Sequence, residues 1–418
     1  FGSSFKAMVR GIAAVALAAS AAIRGLDPCE NVTVQSPELK RGTVQDILLV
    51  TGGSGFIGSH LVELLLSLGY HVRVLDSLFS GNIQYLPVQH PNLELIYGDI
   101  ADRDTVYAAM KDVEGVFHLA ACSKVAPSLK DPRTATLNFE KNVVGTALVL
   151  EAAHKFKVHK VVYTASSTFY GNQPVPFHED LPHSPTSPYA ISKKQGEELM
   201  AMYHTLYDVR TVSLRLFMVY GPRQPRTGAY AVVNGKFIFM KQQGLPLTIE
   251  GDGTQYRDFV HVKDVARALV LAMDSHIKGE SINVGSGQGY SVNDLADMVS
   301  DKRVTIPRRS VDLDGTLADT CKAKKLLNFG VEYSFVDTMR GFVADPDSSD
   351  PLAAFWEEPA TVSHLDQQIM DRVDGQFFVW SNMTVEHKME RLRKALDKEP
   401  MFLKNVLRAI SEGRRQEL

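Results

Sequence analysis

Residues 51–58 read Thr-Gly-Gly-Ser-Gly-Phe-Ile-Gly, after the apolar run 47–50 and at the start of an amphipathic stretch, 57–68. A strand, a glycine-rich turn and a helix in that order leave few folds open. Glycine lets the main chain turn tightly and lie close to a ligand, and the first amides of a helix have no partner within it. Such a turn suits an anion, and a pyrophosphate above all. Gly52, Gly55 and Gly58 form the expected cradle, with Phe56 and Ile57 opening the helix behind it.

The following text keeps this rhythm. Apolar runs at 72–75, 93–97, 115–119, 160–165 and 211–217 alternate with helical stretches at 105–111, 139–156 and 189–207. The alternation predicts an α/β fold, a doubly wound parallel sheet of Rossmann type, with ligands at the carboxyl ends of its strands. Asp76 ends the second strand where a carboxylate meets the ribose hydroxyls of a dinucleotide. A carboxylate there repels a 2′-phosphate, so the expected cofactor is NAD rather than NADP; the plainer reading is a turn cap. Asp99 ends the third run, where it could accept from an adenine amino group or serve as an ordinary turn residue. Ile100, Leu119 and Ala120 complete the expected cofactor set.

With 418 residues, 44% of them hydrophobic and 22% charged, and a net charge of -3, the chain reads as a globular protein of more than one domain. That balance argues against nucleic acid as a partner. Cys29, Cys122 and Cys321 lie far apart without metal-ligand spacing, so no metal is expected, and they fit a reducing compartment. The expected location is the cytoplasm. The alternative rests on a basic start at Arg10 and an Ala-rich apolar stretch, 12–23, which resembles a signal or transit segment too short to span a bilayer. The triplets at Asn31 and Asn382 match a glycosylation sequon, which carries no meaning in a cytosolic protein.

The expected domains are a leader or targeting segment at 1–45, a dinucleotide-binding domain at 46–219 with about 259–284, and a smaller discontinuous substrate domain at 220–258 with 285–345. A C-terminal extension, 346–418, has amphipathic helical stretches near 385–396 and 401–410 and holds Trp356 and Trp380.

Chemistry gathers at Tyr189-Ala190-Ile191-Ser192-Lys193, a phenol and an ammonium four residues apart on one helix face. A free tyrosine ionises near pH ~10, so it serves as a base near neutrality only if positive charge stabilises the phenolate. Lys193 and an oxidised nicotinamide are the expected sources. The strand text Thr164-Ala165-Ser166-Ser167-Thr168-Phe169-Tyr170 adds hydroxyls that could bond substrate and phenol together. Alone, each motif also occurs on ordinary helices and strand ends.

Taken in order, the glycine loop, Asp76, Asp99, Ser166 and Tyr189 with Lys193 resemble the extended short-chain dehydrogenase/reductase family over about residues 47–340, most closely its UDP-glucose 4-epimerase-like members. The resemblance implies that Tyr189 is the base, Lys193 its partner and ribose ligand, Ser166 the catalytic hydroxyl and Thr168 a threonine near the sugar. Ser167 and Thr168 stand where dehydratases carry an Asp-Glu pair, and Thr168 where decarboxylases carry a Glu, which leaves epimerisation. Arg257 and Arg309 then resemble diphosphate ligands, Asp312 a ribose ligand, and Lys124 a further substrate contact. Thr316 falls where a small side chain leaves room beside the sugar C2 substituent. Met218 departs from the Asn common in epimerases. The resemblance implies a UDP-linked nucleotide-sugar substrate inverted at C4 through a 4-keto intermediate, and a homodimer formed by the helices at 139–156 and 189–207. The rival readings are a uronate or N-acetylhexosamine 4-epimerase, another oxidoreductase of the fold, or a non-catalytic NAD-binding scaffold.

Overall fold

The computed structural model describes residues 37–345 except 44, 124, 227–230 and 309–312, together with Cys29, Val32 and Val34. The Ala-rich apolar stretch 12–23, both sequon asparagines, Trp356, Trp380 and the C-terminal helical stretches lie outside the described residues.

Seven strands form one parallel sheet. They are β1 (Ile47–Thr51), β2 (His71–Asp76), β3 (Leu93–Tyr97), β4 (Gly115–His118), β5 (Lys160–Ser166), β6 (Thr211–Leu216) and β10 (Glu280–Val284), in the order β10-β6-β5-β4-β1-β2-β3. Successive side chains of a strand point to opposite faces, and a sheet covered on both sides buries all of them. Hence the uninterrupted apolar text of β1. Leu48 and Val50 join one core and Leu49 the other. The first core packs against α1 (Phe56–Ser67) through Leu61 and Leu65, and against α8 (Val262–Asp274) through Val265 and Leu269. The second packs against α2 (Arg103–Met110), α5 (Gly145–Phe156) and α6 (Pro188–Tyr207) through Met110, Val149 and Met200. Full burial of each such side chain contributes roughly 1.5–3 kcal/mol. The expected α/β doubly wound sheet is present.

The other short elements are α3 (Val125–Lys130), α4 (Pro132–Phe139) and α10 (Cys321–Leu327). A second body lies beside the carboxyl ends of the strands. It contains β7 (Met218–Tyr220), β9 (Tyr256–His261) and β11 (Gly289–Ser291) in one small sheet, and β8 (Leu247–Glu250) with β12 (Arg303–Ile306) as a parallel pair. Helices α7 (Val233–Gln242), α9 (Val292–Val299) and α11 (Phe335–Ala344) close a separate core around Tyr220, Phe259 and Phe335. The Phe259 and Phe335 rings stack with centroids 4.3 Å apart.

Cys29 and Cys321, 292 residues apart, form a disulfide with Cα atoms 5.4 Å apart, and Cys122 is free and buried. Distance along the chain was a poor guide to distance in space. Spacing set the three cysteines apart, whereas the fold brings two of them together. Ahead of β1, Leu39 packs against the first core and the Lys40 ammonium donates to the Asp274 carbonyl at 3.0 Å. Among the described residues no helix is long and apolar enough to cross a membrane.

Candidate active site

The turn after β1 is shaped by what it must avoid. Gly52 has φ +73°, and a Cβ on it would lie 2.8 Å from the Ala120 backbone; a Cβ on Gly58 would lie 2.1 Å from the Gly52 carbonyl oxygen. The helix entrance is equally bare, since Gly55 caps α1 without any side-chain hydrogen bond and leaves amides open toward the turn. Asp76 ends β2 with one carboxylate oxygen accepting from Ser54 N–H (2.9 Å) and the other from Leu78 N–H (2.8 Å). The same carboxylate thus faces the glycine loop. Its burial raises its pKa above the usual carboxylate value.

One cavity of about 1290 Å³ joins these groups to the rest of the candidate set. Gly52, Gly55, Phe56, Ile57, Gly58, Asp76, Asp99, Ile100, Leu119 and Ala120 all line it, as do Ser166, Thr168, Tyr189, Lys193, Arg257 and Thr316. Of the expected residues, Lys124, Arg309 and Asp312 lie outside the described set. Asp99 accepts from Ala101 N–H and pairs with the Lys141 ammonium at 2.5 Å, so its carboxylate is already engaged.

Ser166 is the last residue of β5, and its Oγ lies 2.9 Å from the Thr168 hydroxyl and accepts from Thr168 N–H at 3.2 Å. The chain leaves the sheet here in a short 3-10 turn, Ser167–Tyr170, which turns both hydroxyls into the cavity. Tyr189 and Lys193 lie in the first turns of α6, which Ser187 caps by accepting from Ala190 N–H with Pro188 in the first turn. The Ser166 hydroxyl lies near enough to the Tyr189 phenol to lower its pKa. Lys193 is 3% exposed, and burial pulls its ammonium down to about 7.

Burial pushes the Tyr189 phenol up to about 12, with the Ser166 hydroxyl pulling the other way, and Lys193 is not among the groups that shift it. The phenol is not made acidic by Lys193 alone. Desolvation of a buried phenolate outweighs the nearby ammonium.

Sequence reasoning missed the supports. The stretch expected as one helix from 139 carries a π-helical turn, Glu140–Val144, that turns Asn142 inward. Its amide donates to the Cys122 carbonyl (3.0 Å) and the Ser192 hydroxyl (2.9 Å) and accepts from Cys122 N–H (2.7 Å). With its amide oriented to suit its neighbours, Asn138 donates to the Cys122 carbonyl at 3.2 Å and accepts from Tyr189 N–H at 3.3 Å. Two asparagines four apart on an otherwise apolar helix face were the available signal. Behind them, Arg215 of β6 holds Glu197, one turn beyond Lys193, through contacts of 3.0 and 2.6 Å, and donates to the Tyr170 hydroxyl at 2.6 Å. Lys141, Lys236 and Gln255 also line the cavity unforeseen.

On the far wall, Arg257 sits on β9, and Thr316, 7% exposed, is fixed beside it by its N–H donating to the Tyr256 carbonyl at 3.2 Å.

Comparison with known proteins places this arrangement. Residues 48–285 match the model of the NAD dependent epimerase/dehydratase family. A UDP-glucose 4-epimerase of Mycolicibacterium smegmatis is 38% identical over 292 residues, covering 67% of this chain and 92% of that protein. Among solved structures, the UDP-N-acetylglucosamine 4-epimerase of Methanobrevibacter ruminantium is 34% identical with a TM-score of 0.68, covering 74% of this chain and 99% of that one. The Thermus thermophilus UDP-glucose 4-epimerase in complex with NAD is 34% identical with a TM-score of 0.64, covering 71% and 98%. The glycine turn, the serine, tyrosine and lysine on one cavity, and these likenesses agree: the chain belongs to the NAD dependent epimerase/dehydratase family.

Proposed function

We propose that the protein inverts C4 of a UDP-linked hexose by oxidising and re-reducing the same carbon. The observation that carries this reading is a single cavity lined by the cofactor turn, by Ser166, Tyr189 and Lys193, and by Arg257. The residues fit NAD: a Cβ would fill the space that Gly52 and Gly58 leave, the first turn of α1 is uncapped, and Asp76 offers a carboxylate at the strand end. When bound, NAD supplies the acceptor and donor of the C4 hydride and a positive charge beside the phenol.

Tyr189 takes the proton of the C4 hydroxyl, and the hydroxyls of Ser166 and Thr168 hold the sugar oxygen on which charge changes. Lys193 holds the cofactor ribose and adds charge to the phenol's surroundings. In the resting protein the phenol sits near 12. The base therefore depends on cations brought together only in the assembled site. Once the 4-keto sugar has turned, Tyr189 would return the proton to the C4 oxygen, and inversion requires that the hydride held by bound NAD come back to the opposite face of C4.

Four described cations line the cavity: Lys141, Lys193, Lys236 and Arg257. Lys141 is paired with Asp99, and Lys193 lies beside the phenol on α6. Lys236 and Arg257, both on the second body, match the two phosphates of a nucleotide diphosphate. The small Thr316 side chain supports a second substrate class, the N-acetylhexosamines. A homodimer is supported by the exposed apolar stripe Ile191, Met202 and Leu206 on α6, with Val144 beside it on the π turn.

A panel of UDP-hexoses, their N-acetyl forms and UDP-glucuronate tests the proposal. Inversion at C4 without net NADH is expected for a neutral sugar, and Tyr189→Phe should keep NAD while losing about 10²–10⁴-fold in kcat. NADH accumulating with turnover would reject the cycle.

A further inference from the structure

The Lys193 ammonium is buried, yet among the described residues it has no carboxylate within ion-pair range. Its nearest defined partner is aromatic. Nζ lies 4.2 Å from the centroid of the Tyr163 ring, on β5 beneath the catalytic helix. The same ring also stacks with His118, with centroids 5.5 Å apart and planes tilted by 29°. Both His118 nitrogens are held, Nδ1 by the Thr51 hydroxyl at 2.8 Å and Nε2 by the Thr146 hydroxyl at 3.0 Å. Thr146 spends its own proton on the Asn142 carbonyl, so Nε2 must donate to it and Nδ1 accept from Thr51. His118 is thus a neutral, locked ring, which burial and the nearby ammonium hold at about 3.

The helix makes room for this column. Gly196 lies inside α6, and a Cβ there would meet the Tyr163 hydroxyl at 2.3 Å. A glycine in a helix interior weakens the helix relative to alanine. The phenol accounts for its presence here, and its hydroxyl reaches toward the Lys193 carbonyl at 3.5 Å.

We propose that Tyr163 is a positioning residue whose ring face seats the Lys193 ammonium and keeps it charged beside Tyr189. The inference rests on the role given to Lys193 above. A carboxylate in that place would also hold the ammonium, but would cancel the charge that the base needs. An aromatic face attracts a cation through its quadrupole and leaves the net charge intact. The other titratable groups around Lys193 are Tyr189 and Glu197 on its own helix, His118 on β4 and Cys122 beyond it. Glu197 is already bound by Arg215 of β6, and α5 offers only Thr146 from its buried face.

Tyr163→Phe keeps the ring and should retain kcat within about twofold and an unchanged pH profile. Tyr163→Leu removes the ring and should lower kcat about 10–100-fold with little change in substrate KM, and the alkaline limb should move to lower pH because Lys193 loses its proton sooner. A second route avoids a core deletion. Gly196→Ala should displace the phenol and lower kcat, and adding Tyr163→Phe should recover part of the loss, since it removes the 2.3 Å contact and leaves the ring Cζ at 2.9 Å. The pH dependence of Lys193 carbamylation, followed by peptide mass spectrometry, reports the same shift without any turnover. It therefore separates failure of the seat from failure of the epimerase reading. Equal losses in the Phe and Leu variants, or a Lys193 titration unmoved by Tyr163→Leu, would overturn the proposal.

Discussion

The two walls of the cavity reach the ligand by different means. On the sheet side the contacts are largely main chain: the turn at Gly52, the uncapped end of α1 and strand ends fixed by the parallel ladder. On the side of the second body they are side chains on short strands and loops, such as Arg257 on β9 and Thr316 after an isolated bridge between Tyr256 and Gly315. Main-chain geometry admits few substitutions, because any Cβ meets a neighbour's backbone that cannot move aside. Side-chain geometry can be retuned one residue at a time, which suits the wall that has to distinguish substrates.

Three substitutions sharpen that contrast. Gly58→Ala is the most severe, since its Cβ would lie 2.1 Å from the Gly52 carbonyl. The protein is expected to lose bound NAD and more than about 10³-fold of its activity, read by cofactor content after gel filtration and by rate; a loss of this order corresponds to about 4 kcal/mol. Arg257→Met, on the other wall, should raise substrate KM about 10–100-fold through a lost charge-assisted contact while NAD content stays unchanged. Asp76→Asn should be mildest, weakening NAD about tenfold and narrowing the preference over NADP, as titration by fluorescence would show. Should Arg257→Met strip the cofactor, or Gly58→Ala leave it bound, the division between the walls would break.

The same division explains what could be read from the sequence. The sheet, its order of strands and helices, and the cofactor cradle were legible because they follow from alternation, apolar runs and glycine at fixed spacing. Ser166, Tyr189 and Lys193 were legible because strand end and helix start place them by register alone, and they do share one cavity. The protonation balance was not legible, since the Tyr189 phenol is governed by burial, which depends on everything packed above it. Nor were Asn142 and Tyr163. Asn142 left a trace in its spacing from Asn138, but the π turn that points it inward cannot be read from that spacing, and Tyr163 reads as one more apolar residue in β5 until α6 is laid across it. The disulfide escaped because its two halves meet only after the chain has wound through the whole sheet.

That bond makes the chain from residue 29 to residue 321 a covalent ring. A protease cutting once at any peptide link within the ring opens it without releasing a piece. The nicked protein keeps its full mass on a non-reducing gel and falls into two bands only when a thiol is added.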